Sequence, residues 1–254
     1  MSEAMLEFKD VSFTYPGEKN PTIDKLSFSL NKGEFVCLIG PSGCGKSTIF
    51  RLVNKLLTPD SGHIYVNGRD INEQKSYCGY MPQSDLLFPW RSVAANVRLP
   101  LEIRGGMSDA KMNDKVNEAL ENVGLGGLGN KTPSELSGGM RQRAAFARTL
   151  MTGCDLLLLD EPFSALDYLT RLNMREWLSE QWEHENKTIL FITHDVEEAV
   201  FLSGRVLAAD NYPINRLTTV PIPAEYPRTR ATLEEAHMVE IREQLIEKLR
   251  KEHS

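Results

Sequence analysis

FVCLIGPSGCGKSTIFRLV, residues 35–53, sets the architecture of the whole chain. Phe35 to Ile39 is an apolar run of the length and character of a buried parallel strand. It feeds a glycine-rich loop, and the loop opens into a helix. That helix carries Ile49, Leu52, Val53 and Leu56 on one face and is expected to stop before Pro59. Gly40, Gly45, Lys46 and Ser47 satisfy G-x-x-x-x-G-K-S/T in the required strand-to-helix context. Glycine tolerates backbone angles that turn successive N–H groups inward. The run Gly40, Pro41, Ser42, Gly43, Cys44, Gly45, Lys46, Ser47 and Thr48 therefore reads as an anion nest. The following helix points its positive end, roughly half a unit charge, at a bound phosphate. Lys46 is expected to reach the β- and γ-phosphates of ATP, and Ser47 to ligate Mg²⁺.

Two further segments extend this chemistry. DLLLLDEP, from Asp155 to Pro162, is a buried strand ending in two acids. Asp160 is placed to hold the Mg²⁺ shell, and Glu161 to polarise an attacking water. LSGGMRQR, from Leu136 to Arg143, puts Ser137, Gly138 and Gly139 at the opening of a helix. A serine hydroxyl, unpaired N–H groups and a helix dipole together suit an anion. A chain with two such grips is expected to work as a pair, each copy closing the ATP site of the other.

Length and composition bound the rest. The 254 residues suffice for one large α/β domain or two intimate lobes. A net charge of -6 argues against nucleic acid as a partner. Cys37, Cys44, Cys78 and Cys154 show no C-x-x-C spacing and read as reduced thiols. The opening MSEAMLEFKD has no apolar core of signal-peptide length. No stretch approaches the ~18 apolar residues of a membrane span, so a membrane role is expected to come through a partner.

Along the chain, Leu6 to Tyr15 alternates as a half-buried strand does, and Leu26 to Leu30 reads as a second strand. His63 to Ile71 holds Asn67-Gly68 between apolar runs, a strong hairpin signal. From about Phe88 to Met151 the pattern turns helical. Ser108 is expected to cap a helix with Met112, Val116, Leu120 and Val123 inward, ended by Gly124. Leu156 to Leu159 and Ile189 to Ile192 return as buried strands. Trp177 and Trp182 read as packing residues of a helix. Beyond Asn211 the chain is Pro-rich. Leu233 to Arg250 then reads as one amphipathic helix with Leu233, Met238, Ile241, Leu245 and Leu249 on one face.

LSGGM followed by RQRAAFAR resembles the signature motif of ATP-binding-cassette (ABC) ATPases. That family orders a phosphate loop, a glutamine loop, the signature, an acidic strand, a D-loop and a switch histidine. This chain supplies Gly40 to Thr48, Gln83, Leu136 to Met140, Leu156 to Glu161, Ser164 to Asp167 and His194 in that order. Met140 departs from the commoner Gln at its position. The resemblance implies an α/β fold, a P-loop NTPase core with an antiparallel β subdomain and an inserted α-helical subdomain. Residues 1–254 would be a single ABC ATPase domain. The nucleotide-binding core would take about 1–87 and 153–225, the helical subdomain 88–152, and a C-terminal helical extension 226–254. It also implies that Tyr15 stacks on adenine, and that Gln83 touches Mg²⁺ or water and senses a membrane partner. His194 would contact the γ-phosphate, and Asp167 would communicate across the dimer. His63, His184, His237 and His253 lack such context and read as surface residues.

Ser84 to Glu102, SDLLFPWRSVAANVRLPLE, resembles the loop of nitrate, sulfonate and taurine-type importers. In those, the segment after the glutamine loop receives a helix of the transmembrane permease. Phe88, Pro89 and Trp90 would then line an exposed socket, since Trp and Phe are favoured anchors; the other reading of Trp90 is a core aromatic. The implied protein is a peripheral ATPase on the cytoplasmic face of a membrane, driving import of a small anion or related solute. An external solute-binding protein would act through the permease. Two alternatives stay open: a soluble ABC ATPase that remodels protein or nucleic acid, and a small-molecule phosphotransferase using the same cradle.

Overall fold

The computed structural model describes residues 3–209 and 211–251; His253 lies outside them. The chain divides into two compact units, Met1–Tyr77 with Arg175–Ser254, and Cys78–Met174.

The first unit opens with β1 (Ala4–Phe13) and β2 (Ile23–Asn31), then β3 (Phe35–Ile39) and α1 (Lys46–Val53). β4 (Ser61–Val66) and β5 (Arg69–Asp70) follow. An antiparallel sheet runs β2-β1-β4-β5. Its β4–β5 hairpin pairs Val66 with Arg69 and turns at Asn67 (φ 52°) and Gly68 (φ 73°), the positive angles that an Asn-Gly turn is chosen for. α1 is shorter than its sequence period suggests. Lys55 takes φ 55° and ends it, so Leu56 is exposed instead of joining Ile49, Leu52 and Val53 in the core.

The second unit begins with β6 (Cys78–Met81), followed by α2 (Val93–Arg104) and α3 (Asp109–Asn122). α4 (Gly138–Leu150) and β7 (Leu156–Asp160) come next. β6 and β7 are parallel, with Met81 opposite Leu159. α3 buries Met112, Val116 and Leu120, with Val123 just beyond its end, and Gly124 at φ 67° breaks it. That is the reading its periodicity gives.

α5 (Tyr168–Glu185) carries the chain out of the second unit. The first unit is then completed by β8 (Thr188–Ile192), α6 (Val196–Leu202), β9 (Arg205–Ala209), β10 (Leu217–Pro221), α7 (Arg230–Leu233) and α8 (Ala236–Lys251). β3 lies between β8 and β9, parallel to both, and β10 pairs antiparallel with β9. Every residue of β3 and of β8 is buried, as for a sheet covered on both faces. The expected single helix from Leu233 is two: α7 ends at Leu233 and α8 starts at Ala236. Met238 and Leu245 are buried, whereas Leu233, Ile241 and Leu249 are only partly covered.

Candidate functional site

In the first unit the chemistry gathers at the C-terminal ends of parallel strands, where open α/β sheets hold ligands. The loop after β3 carries Gly43 at φ 81° and Gly45 at φ 114°. A Cβ on Gly45 would come within 2.7 Å of Thr22 Cγ2, and one on Gly40 within 3.0 Å of Ala209 Cβ. Gly45 therefore requires glycine for space and for its backbone angle, and Gly40 is tightly packed. Gly45 sits at the N-cap of α1 without a side-chain cap, so the positive end of that helix faces the loop. Lys46 is only 6% exposed, and its Nζ donates to Gly40 O at 2.8 Å and Pro41 O at 2.7 Å. The ammonium thus lies within the loop's own curl. Ser47 and Thr48 follow on α1, and the Tyr15 hydroxyl lies 3.0 Å from Thr48 Oγ1. Arg51 Nη1 donates to the same phenol at 3.2 Å, and Phe13 meets the Tyr15 ring edge-on. Tyr15 is thereby fixed beside the first turn of α1.

His194 leaves the neighbouring strand β8 at the same end of the sheet, since Leu38 and Ile192 are in register. It is exposed. The residues beside it are not: Thr193 is buried and donates to Glu198 Oε2 at 2.6 Å, while Asp195 caps α6 by accepting from the N–H groups of Glu197 and Glu198.

In the second unit Gln83 lies just past β6, and Asp160 and Glu161 end β7. Gln83 Nε2 reaches Glu161 Oε2 and Ser164 Oγ, each at 3.3 Å. Glu161 adopts φ 45°, a strained angle for a non-glycine residue. Ser164 holds that angle by giving both its N–H and its hydroxyl to Glu161 O, at 3.2 and 3.0 Å. Asp160 is nearly buried, with the Tyr80 hydroxyl 3.5 Å from Oδ2. Among the described residues no cluster of three or more His, Cys, Asp or Glu could cage a metal. Mg²⁺ held largely by nucleotide phosphates and water needs only one or two protein carboxylates. The Asp160 carboxylate, the Ser47 hydroxyl and the Gln83 amide are hard oxygen donors.

Ser137 caps α4 by accepting from Met140 N at 3.3 Å. A Cβ on Gly139 would meet Thr170 Cγ2 at 2.6 Å, so the signature helix packs closely on the start of α5. Asp167 caps that start, accepting from Thr170 Oγ1 at 2.6 Å and Thr170 N at 3.1 Å. These bonds hold its carboxyl below the usual carboxylate range.

Trp90 is 77% exposed, which settles it as a surface residue. Its ring lies 5.1 Å from that of Phe88. The turn that presents both is held by Asn96, a fully buried side chain. Asn96 Oδ1 accepts from Phe88 N at 2.7 Å, and Nδ2 donates to the carbonyls of Phe88, Arg91 and Ser92. Sequence reading passed over this residue; its signal is an amide among Val93, Val97 and Leu101 on the apolar face of α2. Replacing Asn96 with Ala removes these four bonds, among them the one that Phe88 N makes to Oδ1, and is expected to cost about 1–3 kcal/mol of stability, read from thermal or denaturant melts. α4 grips the same region. Arg141 Nε donates to Asp85 Oδ2 at 3.1 Å, and Arg148 donates to Asp85 O and Leu86 O at 2.6 and 2.7 Å. Of the other histidines, His63 pairs with Asp70 at 3.0 Å, and His184 and His237 are exposed.

Residues 23–164 match the family model described as ABC transporter. The chain is 44% identical to the formylaminopyrimidine import ATP-binding protein ThiZ of Halalkalibacterium halodurans, covering 92% of this chain and 91% of that one. It is 38% identical to the nitrate import ATP-binding protein NrtD of Synechococcus elongatus, over 97% and 92% of the two chains. It is also 38% identical to the aliphatic sulfonates import ATP-binding protein SsuB of Bacillus subtilis, over 89% and 88%. Among solved structures, the dimeric ATP-binding cassette MJ0796 bound to ADP and Pi superposes with a TM-score of 0.75 at 28% identity. That match covers 87% of this chain and all of the other.

Proposed function

The chain belongs to the ABC transporter family and is an ATP hydrolase of that family, and from that premise we propose that it powers a membrane importer as one of a pair of identical subunits. Lys46 and the loop N–H groups hold the triphosphate, and Tyr15 supports the adenine. Ser47, Asp160 and Gln83 would hold Mg²⁺, which would draw charge from the nucleotide's phosphates. Glu161 takes a proton from water as the water oxygen bonds to the γ-phosphorus and the bond to the β–γ bridging oxygen breaks, leaving ADP and phosphate. His194 donates to the γ-phosphate. Ser137, Gly138 and Gly139 close on the ATP of the partner copy. Catalysis of this kind is positioning plus electrostatics.

The observation that supports coupling to a membrane is internal to the second unit. The helix that Ser137 opens also holds, through Arg141 and Arg148, the backbone beside the exposed Phe88–Trp90 turn. Movement of the signature helix would carry that turn with it. The permease is proposed to sit on Phe88 and Trp90 and to place this subunit on the cytoplasmic face, with an external solute-binding protein beyond. No helix among the described residues is long and apolar enough to cross a membrane. The transported class is proposed to be a small anion or related solute. Relatives of similar identity are named for three chemically different solutes, which supports placing selectivity in the membrane partners.

Pairing is tested by the concentration dependence of hydrolysis. Turnover per chain is expected to rise with chain concentration and level off as dimer forms with ATP. Constant turnover down to concentrations where sedimentation shows only monomer would refute an ATP site shared between copies.

A further inference from the structure

The C-terminal extension has an assignable role. Its Arg228 is 4% exposed and reaches across to α6, the helix that directly follows His194. Arg228 Nη1 donates to Val200 O at 2.8 Å, Phe201 O at 3.2 Å and Ser203 O at 2.8 Å. Val200 and Phe201 belong to the last turn of α6 and Ser203 is its C-cap, positions whose carbonyls a helix leaves without intrahelical partners. A guanidinium there also opposes the negative end of the helix. Nε and Nη2 of Arg228 return to Ala224 O, at 3.2 and 2.7 Å, so the fork is fixed from behind. Tyr226, whose ring lies under the guanidinium at 4.2 Å, donates its hydroxyl to Leu202 O at 2.8 Å. One short segment thus closes the C-terminal end of α6.

The other end of α6 holds the switch histidine. Thr193 is tied to Glu198, and Asp195 to the N–H groups of Glu197 and Glu198, so the residues on both sides of His194 are bonded to the first turn of this helix. Glu197 is itself approached by Arg175 at 3.8 Å and by Arg242 of α8 at 3.6 Å. A helix of seven residues spans about 10 Å, so a shift at one end moves the other nearly as a rigid rod.

We propose that Arg228 is a positioning residue for hydrolysis: it sets α6 along its axis and thereby places His194. This rests on the reading of His194 as the γ-phosphate contact. Nη1 serves the end of α6 while Nε and Nη2 hold Ala224 O on the other side, and the single ammonium of lysine cannot reproduce that two-sided fork.

The test is a double-mutant cycle on the full chain with MgATP, with kcat and KM measured separately. His194→Ala is expected to lower kcat by about 10²–10³-fold, as for loss of one transition-state donor. Arg228→Ala is expected to lower kcat by roughly 10-fold or more with KM for ATP nearly unchanged, the effect of a misplaced catalytic group. In the His194→Ala background the Arg228→Ala penalty is expected to vanish to within about twofold, as for two residues acting through one contact. Arg228→Lys is expected to fall between wild type and Ala, and it carries the same cycle if Arg228→Ala does not fold. A penalty of equal size in both backgrounds, or none in the wild type, overturns the proposal in favour of a purely structural cap. Normal kcat in His194→Ala alone removes the histidine from its role, and the positioning proposal with it.

Discussion

Glu161→Gln is expected to lower ATP hydrolysis by about 10²–10⁴-fold, the usual contribution of a positioned general base. Binding should survive. The carboxamide has the shape of the carboxylate, and the two bonds that Ser164 makes go to the backbone carbonyl of residue 161, not to its side chain. Gln83 Nε2 can still meet the remaining amide oxygen. The variant should therefore collect ATP without consuming it and persist as a closed pair. Single-turnover hydrolysis and sizing in MgATP read the two effects separately. Turnover within a few-fold of wild type would remove Glu161 from the base role; loss of ATP binding would mean that the side chain serves the fold instead.

Lys46→Ala is expected to weaken ATP binding by roughly 10–100-fold, corresponding to about 1.5–3 kcal/mol for hydrogen bonds to a charged group. The loss should be graded, largest for ATP, smaller for ADP and slight for AMP, because the ammonium serves the distal phosphates. The grading matters because Lys46 also braces its own loop through Gly40 O and Pro41 O. A uniform loss across the three nucleotides would indicate a collapsed loop. Undiminished ATP affinity would count against the cradle itself. Isothermal titration with each nucleotide decides among these.

Much of this site is legible in the sequence because its parts are local. The strand, glycine turn and helix from Phe35 to Val53 lie next to one another, as do the residues of the Asn67-Gly68 hairpin and the Ser137 helix start. Each needs particular residue types at fixed spacing for backbone reasons alone. The elements that were missed lack such a cue. β6 is four residues containing a glycine, and β9 is an arginine followed by four apolar residues that periodicity cannot separate from helix. β10 sits in a Pro-rich stretch, with its proline confined to the strand end. α1 ends early because Lys55 turns left-handed while the hydrophobic period runs on to Leu56. The turn that carries the exposed Trp90 is held in part by a buried amide, Asn96, which a pattern of apolar positions treats as an interruption. Roles carried by tertiary bonds were the least legible, among them Ser164 behind Glu161 and Arg228 behind α6.

The measurement that bears most directly on a membrane-coupled ATPase is to tag the chain in its host, solubilise the membranes gently and identify what co-purifies. A multi-span membrane protein should be recovered in fixed proportion. It should be lost when Phe88 and Trp90 are both changed to Ala in a chain that still hydrolyses ATP. Recovery of only soluble proteins or nucleic acid, with the double variant behaving as wild type, would contradict the membrane coupling and point to a remodelling ATPase.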